Sequence, residues 1–114
     1  MSVIIVGAPA AAHALAEGPE APENARIWAA PPAQASEAPA VAELATALAA
    51  LEADLHGQEC EAIVLADDSE QALAGALVGT KLPVPVFATA RAADRGSANG
   101  RLIAELAETY TGAP

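Results

Sequence analysis

Short apolar runs alternate with longer stretches of helical periodicity along this chain. Residues 3–6 (VIIV) form a continuous β-branched run, which is typical of a strand buried on both faces of a parallel sheet. Residues 62–66 (AIVLA) repeat the pattern. Residues 26–30 and 84–87 predict weaker strands next to prolines, which are tolerated at sheet edges and strand ends. The pattern predicts four strands.

The stretches between and after the predicted strands show helical periodicity. The strongest helix is predicted over residues 40–55, where one apolar stripe repeats at spacings of three and four: Val41, Leu44, Leu48, Leu51 and Leu55. Shorter helices are predicted over residues 8–17, 69–79 and 98–110. Gly79 is the expected stop of the third helix, and Ser97 the expected cap of the fourth. The fourth helix is expected to carry one apolar side: Leu102, Ile103, Leu106 and Tyr110.

The resulting order, with a helix after each of four strands, favours right-handed crossovers and a parallel sheet with helices on both faces. We therefore predict one α/β domain over residues 1–114. Its expected architecture is a three-layer α/β/α sandwich around a small, mainly parallel, Rossmann- or flavodoxin-like sheet of about four strands. With so few strands, an exposed sheet edge or a homodimer that covers it is expected.

Composition narrows the function classes. Five basic against fifteen acidic residues argue against nucleic acid or an anionic membrane as a partner, because both select a positive surface. A single cysteine excludes a disulfide framework. No signal peptide and no membrane span is predicted, so the expected location is the cytoplasm. Alanine makes up about 29% of the chain, and it buries little area, so a thin core is expected.

Candidate chemistry lies where ligands bind in open parallel sheets, outside the carboxyl ends of the strands. Residues 7–9, 67–69 and 88–91 fall there. Two adjacent carboxylates, Asp67 and Asp68, suit a general base or a metal ligand. Alternatively, Asp68 caps the third helix in a capping box with Gln71. Both interpretations stay open at this stage.

Several site types are not supported. The turn Gly7-Ala8-Pro9 lacks the glycine spacing of a dinucleotide site, and no P-loop is present. A phosphoacceptor receiver domain would need acidic residues after the first strand and a lysine after a fifth, and no fifth strand is predicted. His13, His56 and Cys60 show neither metal-ligand nor nucleophile spacing. No metal and no cofactor are predicted.

The stretch from Val41 to Ala113 resembles the first half of the non-hydrolysing UDP-N-acetylglucosamine 2-epimerases. That family has an amphipathic helix, then a strand ending in a Gly-Asp-Thr turn, a small-residue helix, an Ile-Pro-Val strand and a helix opening with Glu-x-x-Asn-Arg. Here the turn reads Asp67-Asp68-Ser69 and the strand Leu82-Pro83-Val84-Pro85-Val86. The last helix contains Asn99-Gly100-Arg101. The resemblance implies a glycosyltransferase-B-like fold.

The resemblance also implies site residues. Asp68 occupies the position of the family's catalytic aspartate. The residues expected to bind ligand lie in the same turns and at the start of the last helix: Asp67, Ser69, Thr89, Arg91, Asn99 and Arg101. Two departures stand out: residues 87–91 contain no glutamate where the family has one, and no arginine follows the first strand. Catalysis by this chain alone is therefore not expected.

Three functions remain as hypotheses. The first is a degenerate relative of the epimerases that binds a sugar nucleotide or another phosphorylated small molecule without independent catalysis. The second is a non-enzymatic interaction module that dimerises or docks on a partner chain through a sheet edge or Trp28. The third is an epimerase-like isomerase whose site, with Asp68 as base, is completed by oligomerisation.

Overall fold

A computed structural model describes residues 2–112 of the chain. Met1, Ala113 and Pro114, which belong to the predicted domain, lie outside the described residues. Nine elements follow one another in this order: β1 (Ser2–Val6), α1 (Pro9–Glu17), β2 (Ala25–Ile27), α2 (Pro39–Leu55), β3 (Cys60–Leu65), α3 (Glu70–Lys81), β4 (Val86–Ala88), α4 (Ala98–Leu106) and β5 (Glu108–Thr109). The strands form one parallel sheet in the order β2-β1-β3-β4-β5. The predicted α/β class is confirmed.

The sheet has five strands where four were predicted. The fourth helix was expected to reach residue 110, but α4 ends at Leu106, with Ala107 in an extended conformation. Glu108 then pairs with Phe87, and the N–H of Tyr110 donates to the carbonyl of Ala88. The two residues of this strand, β5, are polar and exposed. The strand is therefore defined only by its pairing with β4. The pattern of apolar and polar residues therefore could not predict β5.

The two faces of the sheet pack against unequal numbers of helices. On one face, Ile4 and Ile63 join Leu51 of α2 and Ile103 of α4 in the main core, together with the alanines of α3. On the other face, Ile5 packs against Ala11, Ala12 and other small residues in a smaller cluster. The three-layer arrangement is therefore asymmetric, and α1 packs alone in that smaller cluster.

Small residues let α3 approach the sheet closely. Gly79 was predicted to end this helix, but α3 continues to Lys81. A Cβ atom at Gly79 would overlap the Cγ2 atom of Val86, and one at Gly75 would lie 2.9 Å from Leu65 Cδ2. Gly79 is therefore a point of close contact between α3 and β4, and the prediction of a helix stop is wrong.

The apolar stripe of α2 is buried only in part. Leu51 and Leu55 lie in the core, whereas the side chain of Val41 is 66% exposed. A helix of 17 residues is about 25 Å long. The central strands of five and six residues span only about 17–20 Å. The first turn of α2 therefore reaches beyond the core that buries its second half.

Two side chains form hydrogen bonds between segments that are far apart in the sequence. Trp28 is buried, and its Nε1 donates a hydrogen bond of 2.8 Å to Asp54 Oδ2 near the end of α2. Because its ring lies in the core, Trp28 offers little exposed surface for docking on a partner chain. The hydroxyl of Tyr110 donates to the carbonyl oxygen of Glu20, which connects the segment after β5 to the loop after α1.

None of the helices in residues 2–112 combines the length and the apolar character that crossing a bilayer requires.

Candidate functional site at the carboxyl edge of the sheet

The strand order reverses between β1 and β3. From these neighbouring strands the chain moves outward in opposite directions, to β2 on one side and to β4 on the other. Such a reversal opens a crevice beyond the strand ends, which is where open α/β sheets bind ligands. Gly7 follows β1 and Asp67 follows β3, so both lie at this crevice.

Asp67 is buried in the crevice, with 6% of its surface exposed. Its two carboxylate oxygens each accept from the N–H of Ala8 at 3.3 Å, and Oδ1 also accepts from the N–H of Ser69 at 3.2 Å. A Cβ atom at Gly7 would lie 2.9 Å from Oδ1. Glycine at position 7 therefore makes room for the carboxylate, which joins the turns that start α1 and α3.

Asp68 makes contacts different from those of Asp67. Its Oδ2 accepts a hydrogen bond of 2.7 Å from Ser97 Oγ at the start of α4. Asn99 Nδ2 donates to the carbonyl oxygen of Asp68 at 3.1 Å and to Glu70 Oε2 at 2.7 Å. The structure therefore brings together two predicted site residues, Asp68 and Asn99. It adds Ser97 and Glu70, which the sequence had not placed in the site.

Serines cap the two helices that meet there. Ser69 Oγ accepts from the N–H of Ala72 at 3.2 Å, so Ser69 is the N-cap of α3. The predicted capping box of Asp68 with Gln71 is one residue out of register and wrong, because the Asp68 carboxylate is bonded to Ser97 instead. Ser97 Oγ accepts from the N–H of Gly100 at 2.9 Å, which confirms the predicted cap of α4.

The other predicted ligand-binding residues do not converge on the crevice. Thr89 Oγ1 donates to the carbonyl oxygen of Ala66 and accepts from the N–H of Ala92, each at 3.2 Å. Thr89 therefore shapes the turn after β4. Arg91 is exposed, and Arg101, also exposed, donates from Nη1 to the carbonyl oxygen of Arg95 at 3.3 Å. Neither arginine shares a hydrogen bond with Asp67 or Asp68 within the described residues.

A small cleft lies on the other side of Gly7, outside the carboxyl ends of β1 and β2. It encloses about 100 Å³. Its lining combines apolar surface with two polar side chains, one from α1 and one from the first turn of α3: Gly7, Pro9, His13, Ile27, Trp28, Ala29, Ala30 and Gln71. The sequence signalled this position only through the turn at residues 7–9. Neither His13 nor Gln71 was predicted to line a site.

The start of α1 faces this region without a side-chain cap. Ala8 is the N-cap and carries no hydroxyl or carboxylate, and Pro9 occupies the first helical turn. The first N–H groups of a helix need an acceptor from outside the helix. Asp67 accepts from Ala8, and Pro9 has no N–H, so the N–H groups of Ala10 and Ala11 are the remaining donors in the first turn of α1.

Other reactive side chains lie away from the crevice. Burial raises the pKa of the Cys60 thiol above its ordinary value of 9.0, and Sγ lies 3.4 Å from the carbonyl oxygen of Ala62. A thiol with a raised pKa is a poor nucleophile at neutral pH. Within residues 2–112, histidine, cysteine, aspartate and glutamate form no group of three or more that could hold a metal ion.

Comparison of the chain with protein-family models, with curated proteins and with solved structures finds no match. The resemblance to the epimerases therefore stays a prediction from the sequence.

Proposed function

We propose that this chain is a non-catalytic binding domain, related to the sugar-nucleotide epimerases, for a sugar nucleotide or a similar phosphorylated small molecule. The observation that carries the proposal is the cleft between Gly7, His13, Trp28 and Gln71. It lies at the carboxyl edge of the sheet, beside the crevice between β1 and β3 where this strand order is expected to bind ligands. Its volume suits one group of such a ligand, and the remainder would lie over the exposed surface around Ala29.

The polar groups around the cleft suit hydrogen bonding to a sugar or a base. The Gln71 amide and the His13 ring both donate and accept hydrogen bonds. The uncapped first turn of α1 adds backbone N–H donors. Apolar contact comes from Ile27 and Trp28. Small-molecule sites generally combine an apolar wall with a few convergent polar groups in this way.

The absence of catalysis is proposed from the contacts of Asp68. This residue, the candidate base, is held by Ser97 and lies in the turn that packs against the start of α4. Residues 87–91, where the resemblance leads one to expect a glutamate, contain no carboxylate. A base without an acid partner cannot transfer protons on both faces of a sugar carbon, so we expect binding without turnover.

The test is a thermal melt in the presence of UDP, UDP-N-acetylglucosamine and N-acetylglucosamine, followed by the fluorescence of Trp28. Trp28 lines the cleft and is the only tryptophan of the chain. A ligand at a hundred times its Kd stabilises the folded state by about 2.7 kcal/mol. This corresponds to several degrees in Tm for a domain of this size.

The two histidines provide a matched pair of variants. His13→Ala removes a residue that lines the cleft, whereas His56→Ala removes an exposed residue at the end of α2. We expect the first to reduce the ligand-induced shift in Tm and the second to leave it unchanged. Absence of any shift at millimolar ligand, or equal loss in both variants, would contradict the proposal.

A second candidate function, pairing of two copies, is favoured by the exposed apolar surface of α4. Leu102 and Leu106 are 51% and 38% exposed and lie one turn apart on the same side of the helix. Leu106 lines the same groove as Glu108 of β5, and the outer edge of β5 has no neighbouring strand in residues 2–112. We propose that this edge, and not Trp28, would form the contact of a homodimer.

Sedimentation velocity across a range of protein concentrations tests the pairing. Wild-type protein should then sediment as a dimer, and Leu102→Glu should sediment as a monomer with an unchanged Tm at low concentration. Val41→Glu is the control, because Val41 is an exposed apolar residue on a different helix, α2. A wild-type monomer at high concentration would exclude this candidate.

A further inference from the structure

Asp67 has the surroundings that a bound anion has in other α/β proteins. It lies at the point where the strand order reverses, and two turns direct backbone N–H groups at it, from Ala8 and from Ser69. Asp67 as a whole is more than nine-tenths buried. Phosphate groups bound at such crevices are held by the same kind of donor, backbone N–H groups at the starts of helices.

The charges in the crevice balance. Two helices, α1 and α3, start beside Asp67, and each helix start carries roughly half a positive charge. One ionised carboxylate therefore neutralises the pair. A phosphate dianion placed in the same crevice would find its donors already taken and a negative charge in direct contact. Gly7 is part of this arrangement, because any side chain there would displace the carboxylate oxygen.

We propose that Asp67 is a built-in anion that occupies an anion-binding crevice between β1 and β3, and that it thereby determines which part of a ligand enters the neighbouring cleft. Gly7 lines the cleft and also contacts Asp67. The group of the ligand that enters the cleft is accordingly uncharged, a sugar ring or a base with hydroxyl or amide groups. Any phosphate of the ligand lies outside, towards solvent. This specificity rests on the proposed function, whereas occupation of the crevice by Asp67 does not.

The experiment replaces the built-in anion by an external one. Asp67→Gly removes the carboxylate and leaves the N–H groups of Ala8 and Ser69 directed at an open crevice. The probe is inorganic phosphate, compared with chloride at equal ionic strength, and the readout is Tm. We expect the Tm of Asp67→Gly to rise by several degrees with millimolar phosphate, and the Tm of the wild type to respond to neither salt specifically.

Asp67→Asn is the matched control, because its amide fills the crevice without a charge and should allow no phosphate to enter. A phosphate-specific shift in the wild type, or no shift in Asp67→Gly, would overturn the proposal. If Asp67→Gly does not fold, Asp67→Ala and Asp67→Ser provide the same test with smaller cavities. A failure of UDP-N-acetylglucosamine to bind the wild type would remove the proposed function but would leave the phosphate result of Asp67→Gly unaffected.

Discussion

The four helices of this domain start in two different ways. The N-caps of α3 and α4 are Ser69 and Ser97, and each serine hydroxyl accepts from a backbone N–H of its own helix. The N-caps of α1 and α2 are Ala8 and Ala38, which have no capping side chain, and a proline follows each. Proline suits the first helical position because its missing N–H would lack a partner there anyway.

This difference divides the carboxyl edge into two regions. We call the region around the starts of α3 and α4 the closed half, and the region around the start of α1 the open half. Around α3 and α4, each serine caps its own helix and Ser97 also donates to Asp68, so this half is an internal hydrogen-bond network. Around α1, the N-cap Ala8 has no capping side chain, and its N–H donates to Asp67, which belongs to another turn. The candidate site residues of the sequence lie mostly in the closed half, whereas the cleft lies in the open half.

The largest effect is expected where the closed half is most tightly packed. A Cβ atom at Gly100 would collide with the backbone of Asp94, so Gly100→Ala should force the start of α4 away from its turn. We expect a loss of about 3 kcal/mol in the free energy of unfolding, measured by urea denaturation. Gly96→Ala in the same loop meets only the Asp94 carboxylate, at 3.1 Å. It should cost far less; equal losses would show that the loop adapts freely.

The two serine caps should contribute different amounts to the free energy of unfolding. Ser69→Ala removes one capping bond and should cost about 1 kcal/mol. Ser97→Ala also deprives the half-buried Asp68 carboxylate of its donor, and should cost about 2 kcal/mol. Chemical denaturation of both variants measures the difference. If the two losses are equal, the bond from Ser97 to Asp68 contributes nothing to stability.

Asp68 itself tests whether the closed half takes part in binding. Asp68→Ala should lower the free energy of unfolding by about 1 kcal/mol, because the Ser97 hydroxyl keeps a second acceptor in the carbonyl of Asp94. The Tm shift produced by UDP-N-acetylglucosamine should not change. A shift that disappears in Asp68→Ala would instead place the ligand in the closed half and support a catalytic role for this residue.

The smallest effect is expected from adding the caps that the open half lacks. Ala8→Ser and Ala38→Ser should each stabilise the fold by about 0.5–1 kcal/mol, measured as an increase in Tm. Only Ala8→Ser places a new acceptor beside the cleft, so only this variant should weaken the ligand-induced shift. Equal shifts in both variants would indicate that the start of α1 does not contact the ligand.

The parts of this structure that follow from local sequence were predictable, and the parts that depend on register were not. The run at residues 3–6 and the run at 62–66 predicted the central strands, because continuous burial needs continuous apolar residues. The strand Glu108–Thr109 exists only through its pairing with β4. The position of Asp68 is set by Ser97, 29 residues away.

Burial of Asp67 could not be predicted for the same reason. Charged residues that follow a strand are usually exposed, and only the alignment of β1 with β3 brings the N–H of Ala8 to this carboxylate. Gly7 was noted as the end of a strand, but its close contact with Asp67 needs the three-dimensional arrangement. The position of Asp67 and Asp68 at the carboxyl edge of the sheet was therefore predictable, whereas their hydrogen bonds to Ala8 and Ser97 were not.

The hydrogen bond between Tyr110 and Glu20 connects residues 90 positions apart. A contact of such long range closes a loop that contains almost the whole domain, and its entropic cost is met only after the intervening strands have paired. We therefore expect the contact to form late in folding. Interactions that form after the transition state slow unfolding and leave the folding rate unchanged. Loss of this contact is therefore expected to speed unfolding and to leave the folding rate unchanged.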